Sequence, residues 1–257
     1  MKTIIAQDKI QLSVAISEAI KLNGNECSLN HIDVSNIKDM SYLFSQSDFN
    51  GNISNWDVSN VEKMEGMFIN STFNSDISNW NVSKLTNMQR MFEESHFNQD
   101  ISKWDVSNVI NMQNVFRYSH FNKEIDDWNT SNVSNMYGMF NYSKFEKDIS
   151  NWNVSNVNNM SCMFKDSNFN QDISKWDVSN VRNMSFMFDK SKFSQDLTNW
   201  KPLKLEYKDK IFKSCSAPVP YWVEVSNIEL AIRSYWLNKD LESSLIDKKL
   251  KSAKIKI

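Results

Sequence analysis

Tryptophan stands at positions 56, 80, 104, 128, 152, 176 and 200, a spacing of 24 residues kept without insertion or deletion. A period held over that length constrains the fold more than any composition does, because every unit must find the same environment as its neighbour. Other columns share the register. Phe49, Phe73, Phe97, Phe121, Phe145, Phe169 and Phe193 each lie seven residues before a Trp. Phe44, Phe68, Phe92, Phe116, Phe140, Phe164, Phe188 and Phe212 form a second aromatic column, and methionines recur at the same step from Met40 to Met184. Counting Ile32 in the Trp column gives eight units. The string "QDISKWDVSNV" occurs twice, at 99–109 and 171–181, three units apart.

Within a unit, Ile101, Trp104 and Val106 have the L-x2-L-x-L spacing of a leucine-rich repeat, and alternation places Trp104 and Val106 on one face of a short strand. Val109, Met112, Val115 and Phe116 follow at the spacing of one helix face, with Ser107 as its N-cap. These patterns predict an α/β solenoid: a leucine-rich-repeat-like right-handed array of about eight strand/turn/short-helix units. Stacked units bury each Trp on the next. About 200 Å² of ring at about 25 cal/mol/Å² gives on the order of 5 kcal/mol per Trp before entropy. The Asn column after "VS" (Asn36, Asn60, Asn108, Asn132, Asn156, Asn180, with Lys84 the exception) is expected to form a ladder bonding loop backbone between coils.

An array of this kind needs closed ends. Asp8 with Gln11 reads as a capping box before the helical pattern Ile10, Leu12, Ala15, Ile16, Ala19 and Ile20, and Gly24 stops it. At the far end Pro202, Pro218 and Pro220 mark the exit, and Ser226 with Glu229 opens a helix carrying Leu230, Ile232, Tyr235, Trp236 and Leu237. The expected organisation is an N-terminal helical cap over 1–26, a solenoid over 27–212, and a C-terminal helical cap with a basic tail over 213–257.

Charge is close to balanced, at a formal −2, with Lys and Arg spread along the chain. No general footprint for nucleic acid or an acidic membrane results. Cys27, Cys162 and Cys215 are odd in number and far apart, giving neither a zinc pattern nor a disulfide framework. No stretch of 18 apolar residues occurs, so membrane insertion is not expected. The first 22 residues interrupt every apolar run with polar residues and have no signal-peptide core, which points to the cytoplasm.

The repeat resembles the BspA-like leucine-rich repeat proteins of bacteria, in the branch built from "DISxWDVSNVxNMxxMFxxSxFN" units; the match spans about residues 27–212, and "LNHIDVSNI" and "VPYWVEV" are similar to flanks beside such repeats. The resemblance implies a non-enzymatic binding module, often a cell-surface adhesin for host proteins, and supplies no catalytic residues to carry over.

Comparing units separates scaffold from variable surface. Positions nine, ten, thirteen, fourteen and sixteen after each Trp change freely while the apolar columns do not. Arg90, Glu93, Glu94, Arg117, Tyr118, Tyr137, Tyr142 and Phe186 fall in these columns and form the candidate partner-binding set, since Arg and aromatic side chains anchor interfaces. A second candidate is the strand face beside the Trp column, such as Lys103 and Asp105. His96 and His120 share a column without Cys or carboxylate, and the acidic column Asp76, Asp100, Glu124, Asp148, Asp172 and Asp196 is expected to bond its own turns, so no metal and no cofactor is assigned. No phosphate loop, nucleophile elbow or triad pattern is present, and the expected partner is another protein, bound without catalysis. Two alternatives stand beside this reading. One is a surface adhesin. The other is a cytosolic inhibitor or a binder of nucleic acid or an acidic partner through the tail lysines Lys248, Lys249, Lys251, Lys254 and Lys256. The oligomeric state is not fixed by the pattern.

Overall fold

The computed structural model describes residues 3–254, and the side chains of residues 3–246. Its regular elements are few: β1 (Ile4–Ile5), α1 (Lys9–Asn23), β2 (Ile32–Asp33) and α2 (Ile228–Lys254). Everything between β2 and α2 is a stack of coils joined by parallel bridges through Asp39, Lys63, Asn87, Asn111, Asn135, Asn159, Asn183 and Tyr207. The molecule is a repeat solenoid with a helix at each end.

The apolar columns fill it. In the Trp column the pairs Trp56–Trp80, Trp80–Trp104, Trp128–Trp152 and Trp176–Trp200 lie in offset stacks at 6.4 Å between ring centroids and within 7° of parallel. Phe68, Phe92 and Phe116 are spaced at 5.7–5.8 Å, and Phe73, Phe97 and Phe121 at 6.3 Å. Each indole also solves a polar problem. Trp104 Nε1 donates to the Ile77 carbonyl at 3.2 Å and Trp128 to Ile101 at 3.1 Å, and the same bond recurs from Trp56 to Trp200. A buried indole N–H and a buried carbonyl are thereby paired in every coil.

The unit itself is not strand and short helix. Ile101–Val106 is a turn, closed by Trp104 N–H on the Ile101 carbonyl at 3.2 Å, and no helix follows Ser107. The parallel ladder runs instead through the segment whose spacing suggested a helix. Met88, Arg90, Phe92 and Glu94 send their N–H groups to the carbonyls of Asn111, Gln113, Val115 and Arg117 in the next coil at 2.8–3.2 Å. A helix would need those donors for its own carbonyls four residues back. Two consecutive turns also place apolar residues three and four apart, so the spacing fitted both structures. The dihedrals separate them: the tenth and fourteenth positions after the Trp column have positive φ in every coil, from Tyr42 and Gln46 to Lys210 and Ser214.

Short polar side chains hold the remaining turns. Asp105 Oδ1 accepts from Ser107 N–H at 3.0 Å, Asp100 from Ser102 at 2.9 Å, Asn111 from Gln113 at 3.0 Å, and Ser95 Oγ from Phe97 N–H at 3.1 Å. Four such side-chain turns per unit explain the fixed Asp, Asn and Ser columns. The Asn ladder forms as its spacing predicts. Asn108, Asn132, Asn156 and Asn180 each donate to a Ser carbonyl of the preceding coil at 2.7–2.8 Å, and Lys84, the exception, reaches Asn60 Oδ1 at 2.6 Å.

At the N-terminal end α1 lays Leu12, Ala15, Ile16 and Ala19 over the first coil, and β1 pairs in parallel with β2. Asp8 caps α1 by accepting from Gln11 N–H at 2.8 Å, and Gly24, at φ 82°, ends it. At the other end Trp222 adds an eighth indole to the stack, 6.4 Å from Trp200. It follows Trp200 by 22 residues, outside the 24-residue register. The side-chain cap of α2 is Asn227, whose Oδ1 accepts from Leu230 N–H at 2.9 Å, and not Ser226.

Candidate functional site: the variable ladder face

Four of the five freely changing columns, at nine, ten, thirteen and fourteen after Trp, lie on the ladder segment, so the most rigidly bonded backbone displays the least constrained side chains. Left-handed backbone at Tyr, Phe and Arg costs roughly 1–2 kcal/mol per residue. Because it recurs in every coil it belongs to the scaffold, offset by the inter-coil bonds, and only the displayed side chain varies.

The candidate residues occupy this face in distinct ways. Tyr118 and Tyr142 are exposed and stacked on each other at 4.5 Å, with the Arg117 guanidinium 4.9 Å from the Tyr118 ring. Glu94 is exposed beside them and Tyr137 half-buried. Glu93 is not a contact residue: it is fully buried, ion-paired to Arg90 and, at 2.8 Å, to Arg117. A buried carboxylate between two guanidinium groups fixes those side chains in place. Phe186 is half-buried, with Lys165 and Lys210 at 5.6 and 5.4 Å from its ring. The Tyr42 hydroxyl donates to Glu65 at 2.5 Å at the first coil.

Two glycines shape the face. A Cβ on Gly138, at φ 59°, would stand 2.2 Å from Asn114 Oδ1, and one on Gly66 2.4 Å from the Tyr42 ring. Each glycine admits a long side chain from the coil before it.

The same face holds a concentration of unpaired polar atoms. Asn114 Oδ1, Arg117 Nε, Asn141 Oδ1, Asp166 Oδ2 and Asp189 Oδ1 are buried without a hydrogen-bond partner, and all five lie in the variable columns between residues 114 and 189. The other orphans among the described side chains, Tyr221, Trp222 and Trp236, belong to the C-terminal cap. Each such atom costs about 1–3 kcal/mol. Asn114, Asn141, Asp166 and Asp189 are not in the candidate set, although they share its columns with Arg90, Arg117 and Tyr118.

The remaining candidates are occupied otherwise. Asp57 and Asp105, beside the Trp column, cap their own turns, and the bonds from Ser59 and Ser107 hold both carboxyls below the usual carboxylate range. In the acidic column, Asp100, Asp172 and Asp196 are held low in the same way by Ser102, Ser174 and Thr198. His96 and His120 meet edge to face at 5.5 Å, and among the described residues no group of three or more His, Cys, Asp or Glu is placed to hold a metal. Burial pushes the thiols of Cys27, Cys162 and Cys215 up, away from a reactive thiolate. A shallow groove of about 600 Å³ lies elsewhere, lined by Glu62, Lys84, Thr86, Asn108, Ile110 and Asn132. Among the described residues no helix is long and apolar enough to cross a membrane. The tail lysines, Lys248 to Lys256, lie outside the described side chains.

A parallel-laddered, aromatic-cored repeat solenoid with one variable face is the class that fold and site define. The chain belongs to the family described as Mycoplasma protein of unknown function, DUF285, whose model matches it in three overlapping stretches, 11–123, 93–168 and 116–222. No curated protein and no solved structure matches the chain.

Proposed function

We propose that this chain is a non-catalytic, BspA-like protein-binding scaffold that holds another protein on its ladder face, in the cytoplasm of the cell that makes it. The carrying observation is the exposed, stacked Tyr118–Tyr142 pair beside Arg117, itself held by the buried Glu93 carboxylate, on the one face whose side chains change from coil to coil. Aromatic and Arg side chains fixed in place lose little entropy on binding. Acids and bases alternate along the face, as Glu94 and Asp166 with Lys165 and Lys190. That mixture favours a protein of mixed charge over nucleic acid, which rewards a uniformly basic stripe.

The test is affinity purification from the producing cell with three forms of the chain. Glu94→Lys with Tyr118→Ala and Tyr142→Ala alters exposed side chains of the ladder face only, and Glu62→Lys with Ile110→Ala alters the groove. The proposal expects a protein captured by wild type and the groove variant and lost with the face variant. Retention by the face variant refutes it. Protease digestion of intact cells addresses location, and cleavage of the chain there would favour the adhesin reading of the same face.

A further inference from the structure

The ladder that joins the coils runs in one direction and ends without an acceptor. In each coil the N–H groups at eight, ten, twelve and fourteen after the Trp column bond carbonyls of the following coil, from Met40, Tyr42, Phe44 and Gln46 to Met184, Phe186, Phe188 and Lys190. The matching N–H groups of the last coil, on Lys208, Lys210, Phe212 and Ser214, have no acceptor among the described residues. The C-terminal cap does not cover this row. Asp209 and Lys213 are exposed, whereas their equivalents in every earlier coil, such as Ser185 and Asp189, are half-buried or buried. Ile211 and Phe212 are buried, with Trp222 6.3 Å from the Phe212 ring, so the core is closed and the backbone edge is open.

We propose that this edge takes an acidic segment of another protein as a further ladder strand, parallel to the last coil, at a site separate from the Tyr118–Tyr142 face. A row of unpaired N–H groups at a sheet edge recruits the carbonyls of an added strand. The occupant is a single segment and not a second copy stacked end on, because Trp222 already fills the place of a further coil's indole, 6.4 Å from Trp200. Its backbone must do what the last coil does for the one before. Tyr207, Asp209, Ile211 and Lys213 give carbonyls to the preceding coil at 2.8–2.9 Å, and Lys210 and Ser214 sit at φ 54° and 57°. The segment therefore offers the carbonyls of its first, third, fifth and seventh residues and turns left-handed at its fourth and eighth, which Gly, Asn or Asp do at least cost. Charge selects the seventh. It falls in the column where Arg117 meets Glu93 at 2.8 Å and Lys165 meets Asp189 at 3.8 Å. That column ends on exposed Lys213, which pairs with no acid among the described side chains. An acid at the seventh residue supplies the missing partner, and exposed Lys190, Lys192 and Lys210 beside the edge favour it further. The chain's own last residues, 248–257, carry the opposite charge to the one required.

Fluorescence anisotropy measures binding of the labelled octapeptide Ser-Ala-Ser-Gly-Ala-Ala-Glu-Gly to the full chain. Saturation below about 1 mM is expected, weakened about tenfold or more by Lys213→Glu, or by Val in place of the peptide's first Gly. A peptide with Lys in place of Glu should restore binding to the Lys213→Glu chain. Tyr118→Ala with Tyr142→Ala should leave peptide binding unchanged, which separates this edge from the ladder face. In the free chain, amide exchange should be fast at Lys208, Lys210, Phe212 and Ser214 and slow at Met184, Phe186, Phe188 and Lys190, and the peptide should slow the first set. No saturation, equal binding of the Val peptide, no rescue by the charge swap, loss of binding in the tyrosine variant, slow exchange at the edge of the free chain, or self-association that displaces the peptide would each overturn the proposal.

Discussion

Single residues in this solenoid are conserved from coil to coil because each has two tasks, packing and pairing. Trp128 fills the core and gives its indole N–H to the Ile101 carbonyl at 3.1 Å. Trp128→Phe keeps most of the ring but orphans that carbonyl, and should cost about 1–3 kcal/mol. Trp128→Ala should cost about 3–5 kcal/mol. Urea unfolding with tryptophan fluorescence from the other indoles measures both, and equal losses for the two would contradict the pairing role. Gly138 tests the other requirement, left-handed backbone under a crossing side chain. Gly138→Ala adds strain at φ 59° and a contact at 2.2 Å with Asn114 Oδ1. A loss above about 1 kcal/mol is expected, and adding Asn114→Ala should recover part of it. The same double change removes one orphaned oxygen from the variable face.

At the scale of the element, the recurring unit is a set of side-chain-capped turns, and its acids make it sensitive to low pH. Bonds from Ser59 and Ser107 lower the Asp57 and Asp105 carboxyls in the folded state. A depressed folded value means that this stabilisation is complete above the ordinary carboxylate value, about 4, and is lost as pH falls through the lower folded value. Each group is well exposed, so its share is small and the effect is the sum over coils. Thermal unfolding followed from neutral pH downward should show the melting temperature falling below about pH 4. Asn81, Asn129 and Asn153 hold the same turn at Asp-equivalent positions without titrating. Asp57→Asn with Asp105→Asn should therefore preserve neutral-pH stability and flatten the acid slope. An unchanged slope would remove these turns as its source.

The whole molecule behaves as a one-dimensional stack, in which each coil touches mainly its neighbours and the ends are closed by α1 and by Trp222 with α2. Deleting one full period, such as residues 147–170, joins Glu146 to Gln171 in register and rebuilds every ladder. Such a chain should fold, with a denaturant slope lower roughly in proportion to the lost surface. Deleting half a period sets Trp against the Phe column and should leave no cooperative transition. A shortened chain that fails to fold in the first case would refute independent stacking. Binding on the ladder face spans several coils, so the 147–170 deletion also removes Lys165 and Asp166 from it while sparing Tyr118 and Tyr142.

The sequence by itself determined the period, the apolar columns, the coil count, the terminal helices and the set of positions free to vary, because those depend on burial, and burial repeats with the spacing. It also placed the Asn ladder and the self-bonded acidic turns, which are local chemistry. Tertiary structure alone decided the backbone. Val109, Met112, Val115 and Phe116 fit a helix face and a double turn equally well, and only the neighbouring coil, by taking the N–H groups of Met112, Asn114, Phe116 and Tyr118, selects the turns. It likewise decided that Glu93 is an internal ion-pair partner and Glu94 a surface group, since no spacing distinguishes two adjacent acids until the next coil sets Arg117 against one of them. Trp222, two residues out of register, was visible only through the stack it completes.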